Sequence, residues 1–205
     1  MMKKLSHDYI KRLKQALDAF PHEQFESLID VFCNALENKR TIFVMGNGGS
    51  GATASHWTCD MNKGCGFGRN KRFRMICLNE NMPTILAYGN DVGYDNIFIE
   101  QLKNYLEKGD VVVAISASGN SRNIIKAVEY AKYKRAITVG LSGFSGGELI
   151  RIVDLPIHIK LNDMQMVEDV HLIIAHMIMQ YFSKITENSG KKTIQKKVNT
   201  RKGIC

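Results

Sequence analysis

The sequence predicts an α/β fold whose parallel β-sheet is covered by helices on both faces. From residue 41 onward, short apolar segments alternate with longer segments of helical periodicity. Parallel strands that are buried on both faces are apolar throughout, and helical crossovers must connect them. The chain has 205 residues and a hydrophobic fraction of 44%, which suits one domain with a sizeable core. We therefore expect a single domain over residues 1–188.

Two helices are expected before the first strand, over residues 7–20 and 22–38, with a break near Pro21. The second helix carries an apolar stripe at helical spacing that consists of Phe25, Leu28, Ile29, Phe32 and Leu36. Because this pair of helices has few apolar partners nearby in the sequence, we expect it to contact another subunit.

Strands and helices then alternate along the chain. The expected strands are residues 41–45, 72–78, 111–116, 136–141 and 155–159. The expected helices lie near residues 50–62, 94–108, 121–132 and 164–185. Ligands of such open sheets bind beyond the carboxyl ends of the strands. Two loops rich in serine and glycine follow the first and third strands, so both lie at that edge.

The composition argues against several classes of protein. There is no run of about 18 apolar residues, so we expect no membrane span. The N-terminus becomes polar too early for a secretory signal. The five cysteines are an odd number without paired spacing, which argues against a disulfide framework and fits a reducing cytoplasm.

The net charge of +8 does not by itself indicate a nucleic-acid-binding domain. Six lysines and arginines lie in residues 189–205, which contain no acidic residue, and the rest of the chain carries only +2. We expect this basic segment to be a mobile, solvated tail. A weak electrostatic contact with nucleic acid or a membrane surface is the alternative, but we expect neither as a partner.

Three hydroxyls and a glycine lie where the third strand ends and a helix begins: Ser116, Ser118, Gly119 and Ser121. Helix N-termini present unpaired N–H groups and a partial positive charge, which favour an anion. Hydroxyls add neutral donors, and a glycine lets the backbone approach a ligand closely. The pattern predicts a phosphate-binding loop. For Ser121 alone, the alternative is an ordinary helix N-cap.

A glycine-rich loop follows the first strand and reads Gly-Asn-Gly-Gly-Ser-Gly over residues 46–51. It matches neither the P-loop, which requires Gly-Lys-Ser/Thr, nor the spaced dinucleotide-binding motif. A tight structural turn is one interpretation. The other is that the two loops together hold opposite ends of a phosphorylated, hydroxyl-rich ligand.

Two pairs of histidine and carboxylate residues could carry chemistry. His56 and Asp60 are spaced i,i+4 and share one face of their helix. Glu168 and His176 are eight residues apart on the last helix and also project to one side. These four side chains could bind a divalent metal ion or divide the roles of general base and general acid. Alternatively, each is an ordinary hydrogen-bonded residue.

In this order, the motifs resemble the sugar isomerase (SIS) domain family. The resemblance rests on residues 46–50 with His56, on Gly89-Asn90-Asp91, and on residues 116–121, 141–143 and 168–176. It covers about residues 20–186, and within the family it is closest to the phosphoheptose isomerases. An Asn-Asp pair otherwise favours a turn, which is the alternative for Asn90 and Asp91.

The resemblance implies a flavodoxin-like three-layer sandwich with a parallel five-stranded sheet, assembled as a homotetramer with shared active sites. It implies contacts with a phosphorylated heptose from Asn47, Gly48, Gly49, Ser50, Asn90, Asp91, Ser116, Ala117, Ser118, Ser121 and Glu168. It also implies one zinc ion per subunit, bound by His56, Asp60, Glu168 and His176. This site overlaps the implied catalytic residues, which are Asp60, Glu168 and His176.

Two positions depart from the family pattern: Asp60 stands where a glutamate is usual, and Glu168 where a glutamine is usual. Aspartate is shorter by one C–C bond, about 1.5 Å, and displacements of that order can cost roughly 100-fold in rate. Either Glu168 compensates by restoring reach and charge, or the exchange indicates a different sugar phosphate.

The implied reaction is aldose–ketose isomerisation of sedoheptulose 7-phosphate to D-glycero-D-manno-heptose 7-phosphate, for heptose-containing glycoconjugates such as lipopolysaccharide or capsule. Asp60, or Glu168 in its place, would take the proton beside the carbonyl, and His176 would move a proton on the opposite side. One alternative is an isomerase for another sugar phosphate. The other is a non-catalytic SIS-domain protein that binds phosphosugars or regulates replication initiation.

Overall fold

The computed structural model describes residues 2–201, with side chains described for residues 4–184. One sheet contains β1 (Thr41–Gly46), β2 (Arg74–Cys77), β3 (Val111–Ile115), β4 (Ile137–Ser142) and β5 (Leu155–His158). The strand order is β2-β1-β3-β4-β5, and all neighbouring strands are parallel. This is the strand order of flavodoxin-like sheets. The predicted fold class and five-stranded parallel sheet are confirmed.

Eight α-helices accompany the sheet in the described part of the chain. They are α1 (Met2–Asp18), α2 (His22–Glu37), α3 (Gly48–Cys59), α4 (Met82–Asp91), α5 (Ile97–Tyr105), α6 (Arg122–Tyr133), α7 (Leu149–Ile152) and α8 (Met164–Arg201). A π-helical turn, Asp60–Gly64, extends α3, and a 3₁₀ turn, Tyr94–Asn96, precedes α5.

Helices α4 and α7 were not predicted from the sequence. In α4, Pro83 lies in the first turn and Gly89 near the end, and both residue types normally indicate a break. The proline is tolerated because N–H groups of the first turn have no partner within the helix. The Asn81 side chain caps the helix by accepting a bond from the Thr84 N–H at 3.2 Å. The turn expected at Gly89-Asn90-Asp91 is therefore the end of α4.

The sheet separates two apolar cores, because alternate strand residues point to opposite faces. Val111, Val113 and Ile115 belong to the core beneath α2, α3 and α8. Val112 and Ala114 belong to the core beneath α5, α6 and α7. The architecture is thus the predicted three-layer sandwich.

Helix α2 finds its apolar partners within the chain. Leu28, Phe32 and Ala35 are buried, and the Phe32 ring stacks on Trp57 of α3 with centroids 5.5 Å apart. Stacked aromatic pairs add to the stabilisation from burial alone. The remaining stripe residues, Phe25, Ile29 and Leu36, pack against the same core but are only partly buried, so the expected contact with another subunit stays a prediction.

Helix α1 makes polar contacts with the start of α8 and the residue before it, and its Leu13 and Leu17 pack against the core. The Tyr9 hydroxyl donates to Asp169 Oδ2 at 2.6 Å, and this hydrogen bond raises the pKa of Tyr9 to about 12. Arg12 forms an ion pair with Asp163 at 2.9 Å. Leu5 remains 73% exposed, so α1 has apolar surface to offer a further contact.

The predicted basic tail, residues 189–205, has no described side chains. Helix α8 runs to Arg201, past the expected end at residue 185, and residues 202–205 lie outside the described residues. The mobility of the tail and the domain boundary at residue 188 stay predictions. Within the described part of the chain, no helix has the length and apolar character that a membrane crossing requires.

Candidate active site

The glycine-rich and serine-rich loops meet at the carboxyl ends of β1 and β3, which are neighbours in the sheet. The crossovers that leave these strands run in opposite directions, towards β2 and towards β4, so a crevice opens between the loops. A cavity of about 310 Å³ lies there. Nine predicted substrate-binding residues line it: Asn47, Gly48, Gly49, Ser50, Ser116, Ala117, Ser118, Ser121 and Glu168.

A larger hollow of about 620 Å³ lies between α1 and residues 156–161. None of the residues that line it is a predicted site residue, so volume alone would have indicated the wrong place. The smaller crevice is at the position where parallel α/β sheets bind ligands.

Ser121 stands at the N-terminus of α6, but its side chain does not cap the helix. Instead, the buried Ser116 hydroxyl donates to Ser121 Oγ at 3.3 Å, and both residues line the cavity. The ordinary N-cap interpretation of Ser121 is therefore wrong. Two hydroxyls therefore line the cavity at the N-terminus of a 12-residue helix, an arrangement suited to an anion.

The rest of the serine loop is held from behind by residues 143–149. The Gly143 N–H donates to Ala117 O at 2.8 Å, and the Leu149 N–H donates to Gly119 O at 2.9 Å. Gly119 has a φ of 67°, and a Cβ atom there would collide with the Gly146 carbonyl oxygen. Only glycine fits at this position, so the backbone fixes the loop in place before any ligand arrives.

Glu168 lies against the first turn of α3. A Cβ atom at Gly49 would meet both carboxylate oxygens of Glu168, so a larger residue there would displace the Glu168 side chain from this position. The N-terminal end of a helix stabilises a nearby carboxylate. Glu168 thus makes use of the N-terminus of α3, while the N-terminus of α6 remains available to a ligand.

Three potential metal ligands come together where α3 passes α8. His56 Nε2 lies 2.9 Å from His176 Nε2. Asp60 Oδ2 lies 3.4 Å from His56 Nε2 and 3.9 Å from His176 Nε2. All three ligand atoms are within 4.8 Å of one another. Asp60 is the first residue of the π-helical turn, and π-helical turns occur frequently at functional sites.

Glu168, the fourth predicted ligand, does not belong to this group among the described residues. Eight residues separate it from His176, which is about 12 Å along the helix axis at 1.5 Å per residue. Sharing one side of α8 therefore did not place the two side chains together. Glu168 lines the cavity beside the serine loop, and His176 lies about two turns further along α8.

The group of His56, Asp60 and His176 has the chemistry and spacing of a zinc site. A tetrahedral ion with ligands at about 2.0–2.1 Å sets ligand atoms about 3.3 Å apart. The observed separations of 2.9, 3.4 and 3.9 Å lie around that value. Two histidines and one carboxylate, with the fourth position open, form the donor set of a catalytic zinc site.

Asn90 and Asp91 are exposed at the end of α4, where the Asn90 amide donates to Asp91 Oδ1 at 2.9 Å. Neither residue lines the cavity. Their predicted role as substrate contacts stays a prediction.

Two residues bonded to Asn47, namely Asn123 and Tyr94, were not predicted from the sequence. Asn123 is 2% exposed, and its side chain exchanges two hydrogen bonds of 2.9 Å with that of Asn47. The Tyr94 hydroxyl donates to Asn47 Oδ1, also at 2.9 Å. Asn123 could have been noticed as a polar residue on the buried face of α6, because a buried amide needs specific hydrogen-bond partners.

Comparison with known proteins agrees with the fold. Residues 7–143 match the family model described as SIS domain. The phosphoheptose isomerase of Helicobacter hepaticus is 34% identical over 170 residues, which are 80% of this chain and 84% of that protein. The corresponding protein of Citrifermentans bemidjiense is 37% identical over 170 residues, which are 81% and 86% of the two chains.

Solved structures show the same similarity. A phosphoheptose isomerase from Francisella tularensis superimposes with a TM-score of 0.83 at 26% identity, over 90% of this chain and 99% of that one. The enzyme from Neisseria gonorrhoeae gives a TM-score of 0.82 at 25% identity, over 89% and 98% of the two chains. The chain belongs to the SIS domain family, among the phosphoheptose isomerases.

Proposed function

We propose that the protein is an aldose–ketose isomerase that converts sedoheptulose 7-phosphate into D-glycero-D-manno-heptose 7-phosphate. The observation that carries this proposal is the separation between the two ends of the site. Glu168, at the serine loop, and His176 are about 12 Å apart along α8. An extended seven-carbon sugar spans about 10 Å from its phosphorus to carbon 1, at roughly 1.2 Å per backbone bond.

At one end, the serine loop anchors the phosphate. The hydroxyls of Ser116 and Ser121 line the cavity beside the N-terminus of α6. This binding energy, remote from the reacting bond, positions the carbons that react. The loop is already held in shape by the segment behind it, so little ordering is required on binding.

At the other end, Asp60 and His176 move the protons. Both contacts of Asp60 with the imidazoles use Oδ2, so Oδ1 is available to take the proton beside the carbonyl. His176 is partly exposed and lies on the other helix, where it can transfer a proton between the substrate oxygens. Positioned acids and bases of this kind each contribute about 10²–10⁴-fold to the rate.

Glu168 contacts the bound sugar rather than acting as the base. Its carboxylate lines the cavity with the serine hydroxyls, at the end that holds the phosphate. The reacting carbons lie at the far end of a seven-carbon chain. Glu168 can accept hydrogen bonds from the hydroxyls of the middle carbons, and the N-terminus of α3 limits its repulsion of the phosphate.

A zinc ion bound by His56, Asp60 and His176 is part of this proposal. Such an ion would supply Lewis-acid stabilisation of negative charge on a substrate oxygen. The spacing of the three ligand atoms supports it, because their separations of 2.9, 3.4 and 3.9 Å lie near the value that a tetrahedral ion sets.

The assembly and location proposed here follow from the relatedness to the phosphoheptose isomerases. We propose a cytoplasmic homotetramer whose active sites are shared between subunits and whose product supplies heptose for glycoconjugates. The exposed Leu5 and Ile10 of α1 are consistent with a contact between subunits.

An assay with sedoheptulose 7-phosphate tests the function. We expect the wild-type protein to form the aldoheptose 7-phosphate, and Ser121→Ala to form it with a kcat/KM reduced about 10-fold or more, since hydrogen bonds to charged groups contribute about 1.5–3 kcal/mol. Turnover of another phosphosugar but not this one would indicate a different substrate. Binding without turnover at any protein concentration would indicate a non-catalytic regulator.

A further inference from the structure

The side chain of Asn47 has nearly all of its hydrogen-bonding capacity occupied by the protein. An amide oxygen accepts two hydrogen bonds, and an amide nitrogen donates two. Asn47 Oδ1 accepts from Asn123 Nδ2 and from the Tyr94 hydroxyl, each at 2.9 Å. Asn47 Nδ2 donates one hydrogen bond to Asn123 Oδ1 at 2.9 Å. One N–H of Asn47 is left over within the described part of the chain.

A backbone contact favours one orientation of the Asn123 amide. The Ile124 N–H donates to Asn123 Oδ1 at 3.0 Å and shares this bond with Ser121 O, also at 3.0 Å. A backbone N–H can only donate, so the contact favours the oxygen of Asn123 on this side and the nitrogen facing Asn47 Oδ1. Asn123 is 2% exposed and does not line the cavity, so neither water nor ligand competes for its amide.

We infer that Asn123, together with the Tyr94 hydroxyl, is a positioning residue that locks the amide of Asn47 so that it presents a single N–H donor to the substrate. Asn47 lines the cavity and is the residue before α3, but its side chain does not cap that helix. The remaining N–H is selective for an acceptor, which in the proposed reaction is a carbonyl, enediolate or phosphate oxygen. A freely rotating amide would offer its oxygen as often as its nitrogen.

This inference deepens the proposed function, and it rests on that function only in naming the acceptor. The lock links α3, α6 and the 3₁₀ turn Tyr94–Asn96, which surround the crevice at the ends of β1 and β3. Preorganised donors of this kind lower the barrier because they need no reorientation during the reaction.

A double-mutant cycle tests the lock, because coupling energies isolate residues that act through one another. Asn123→Leu keeps the approximate size of the side chain and removes its hydrogen bonds. We expect it to lower kcat/KM for sedoheptulose 7-phosphate by about 10-fold or more in the wild type, but by less than about 3-fold in an Asn47→Ala background. An equal loss in both backgrounds, or no loss in the wild type, would overturn the inference.

Two further variants separate positioning from stability. Gln101→Leu is the matched control, because Gln101 is another buried amide, bonded to the carbonyls of Leu78 and Ile97, away from the cavity. We expect it to lower the melting temperature without any coupling to Asn47→Ala. Asn123→Asp keeps the acceptor for Ile124 but loses the donor to Asn47, so it carries the test if the leucine variant does not fold.

The cycle also works if the protein does not isomerise this sugar. The lock acts on binding as well, so the dissociation constant of sedoheptulose 7-phosphate can be measured instead. We expect Asn123→Leu to weaken binding in the wild type more than in the Asn47→Ala background. Coupling in binding without turnover would refute the proposed reaction and uphold the lock. Turnover without coupling would support the proposed reaction and refute the lock.

Discussion

The Nε2 atoms of His56 and His176 lie 2.9 Å apart, although the two residues are separated by 120 positions in the sequence. One belongs to α3 and the other to α8, and Asp60 completes the group from the π-helical turn that extends α3. This group therefore depends on the packing of two helices on one face of the sheet. The cavity lined by Ser116 and Ser121 depends on loops between the strands and the helices that follow them.

Replacing one histidine of this group should remove the metal. We expect purified protein to bind about one zinc ion per chain, and His56→Gln to weaken zinc binding at least about 100-fold, since even residues that only support metal ligands cost 10–100-fold. Metal content after equilibration with buffered zinc measures the effect. His22→Gln, at an exposed position on α2, is the control. Equal zinc content in both variants would refute the site.

Asp60→Asn should nearly abolish turnover while leaving the fold intact. The amide cannot take a proton, and loss of a general base costs about 10²–10⁴-fold in kcat. The Asp60 side chain is 23% exposed and pairs only with the two histidines among the described residues, so the melting temperature should change little. Asp60→Glu, which restores the longer side chain usual in the family, should remain active. Full activity of the asparagine variant would show that another group is the base.

Glu168→Gln distinguishes a sugar contact from a catalytic base. The glutamine keeps a hydrogen-bond acceptor in the cavity and removes a negative charge near the phosphate site. We expect a lower KM and a change in kcat of less than about 10-fold, whereas loss of the base would cost about 10²–10⁴-fold. Steady-state kinetics give both constants. Glu148→Gln, exposed behind the serine loop, is the control for charge alone.

His171 should make the protein sensitive to acid. Its ring is fully buried, and both of its nitrogens lack a hydrogen-bond partner within the described part of the chain. Burial lowers the pKa of His171 to about 4, although the nearby Ser142 backbone favours the charged form. Because the unfolded chain binds this proton near pH 6.5, stability is complete above that pH and falls as the pH drops towards 4.

The expected loss of unfolding free energy from this residue is about 3 kcal/mol over that interval, at 1.36 kcal/mol per pKa unit. Denaturant titrations at several pH values measure it. In His171→Gln, the part of the pH dependence that comes from this residue should disappear. A variant with the same slope as the wild type between pH 6.5 and 4 would show that His171 is not the cause.

The sheet could be predicted because a short stretch of sequence is enough to indicate each strand. Residues 111–115 are apolar without interruption, as strands buried on both faces must be. Helix α4 was missed for the opposite reason: Pro83 and Gly89 usually interrupt helices, and here the proline lies in the first turn, where it is tolerated.

The residues of the site could be predicted, but not which of them lie close together. Helical spacing placed His56 with Asp60, and both loops lie at the expected edge of the sheet. Spacing could not show that Glu168 belongs with the phosphate loop, because residues two turns apart share a side without being in contact. Asn123 was missed although it is a polar residue on the buried face of α6, since its side-chain partner, Asn47, lies 76 positions away.

The most direct test is a crystal structure of the inactive Asp60→Asn variant with sedoheptulose 7-phosphate. The phosphate should accept hydrogen bonds from the hydroxyls of Ser116 and Ser121, with carbons 1 and 2 next to residue 60 and His176. A phosphate bound in the hollow beside α1, or a sugar lying in the reverse direction with its carbonyl at the serine loop, would contradict the account.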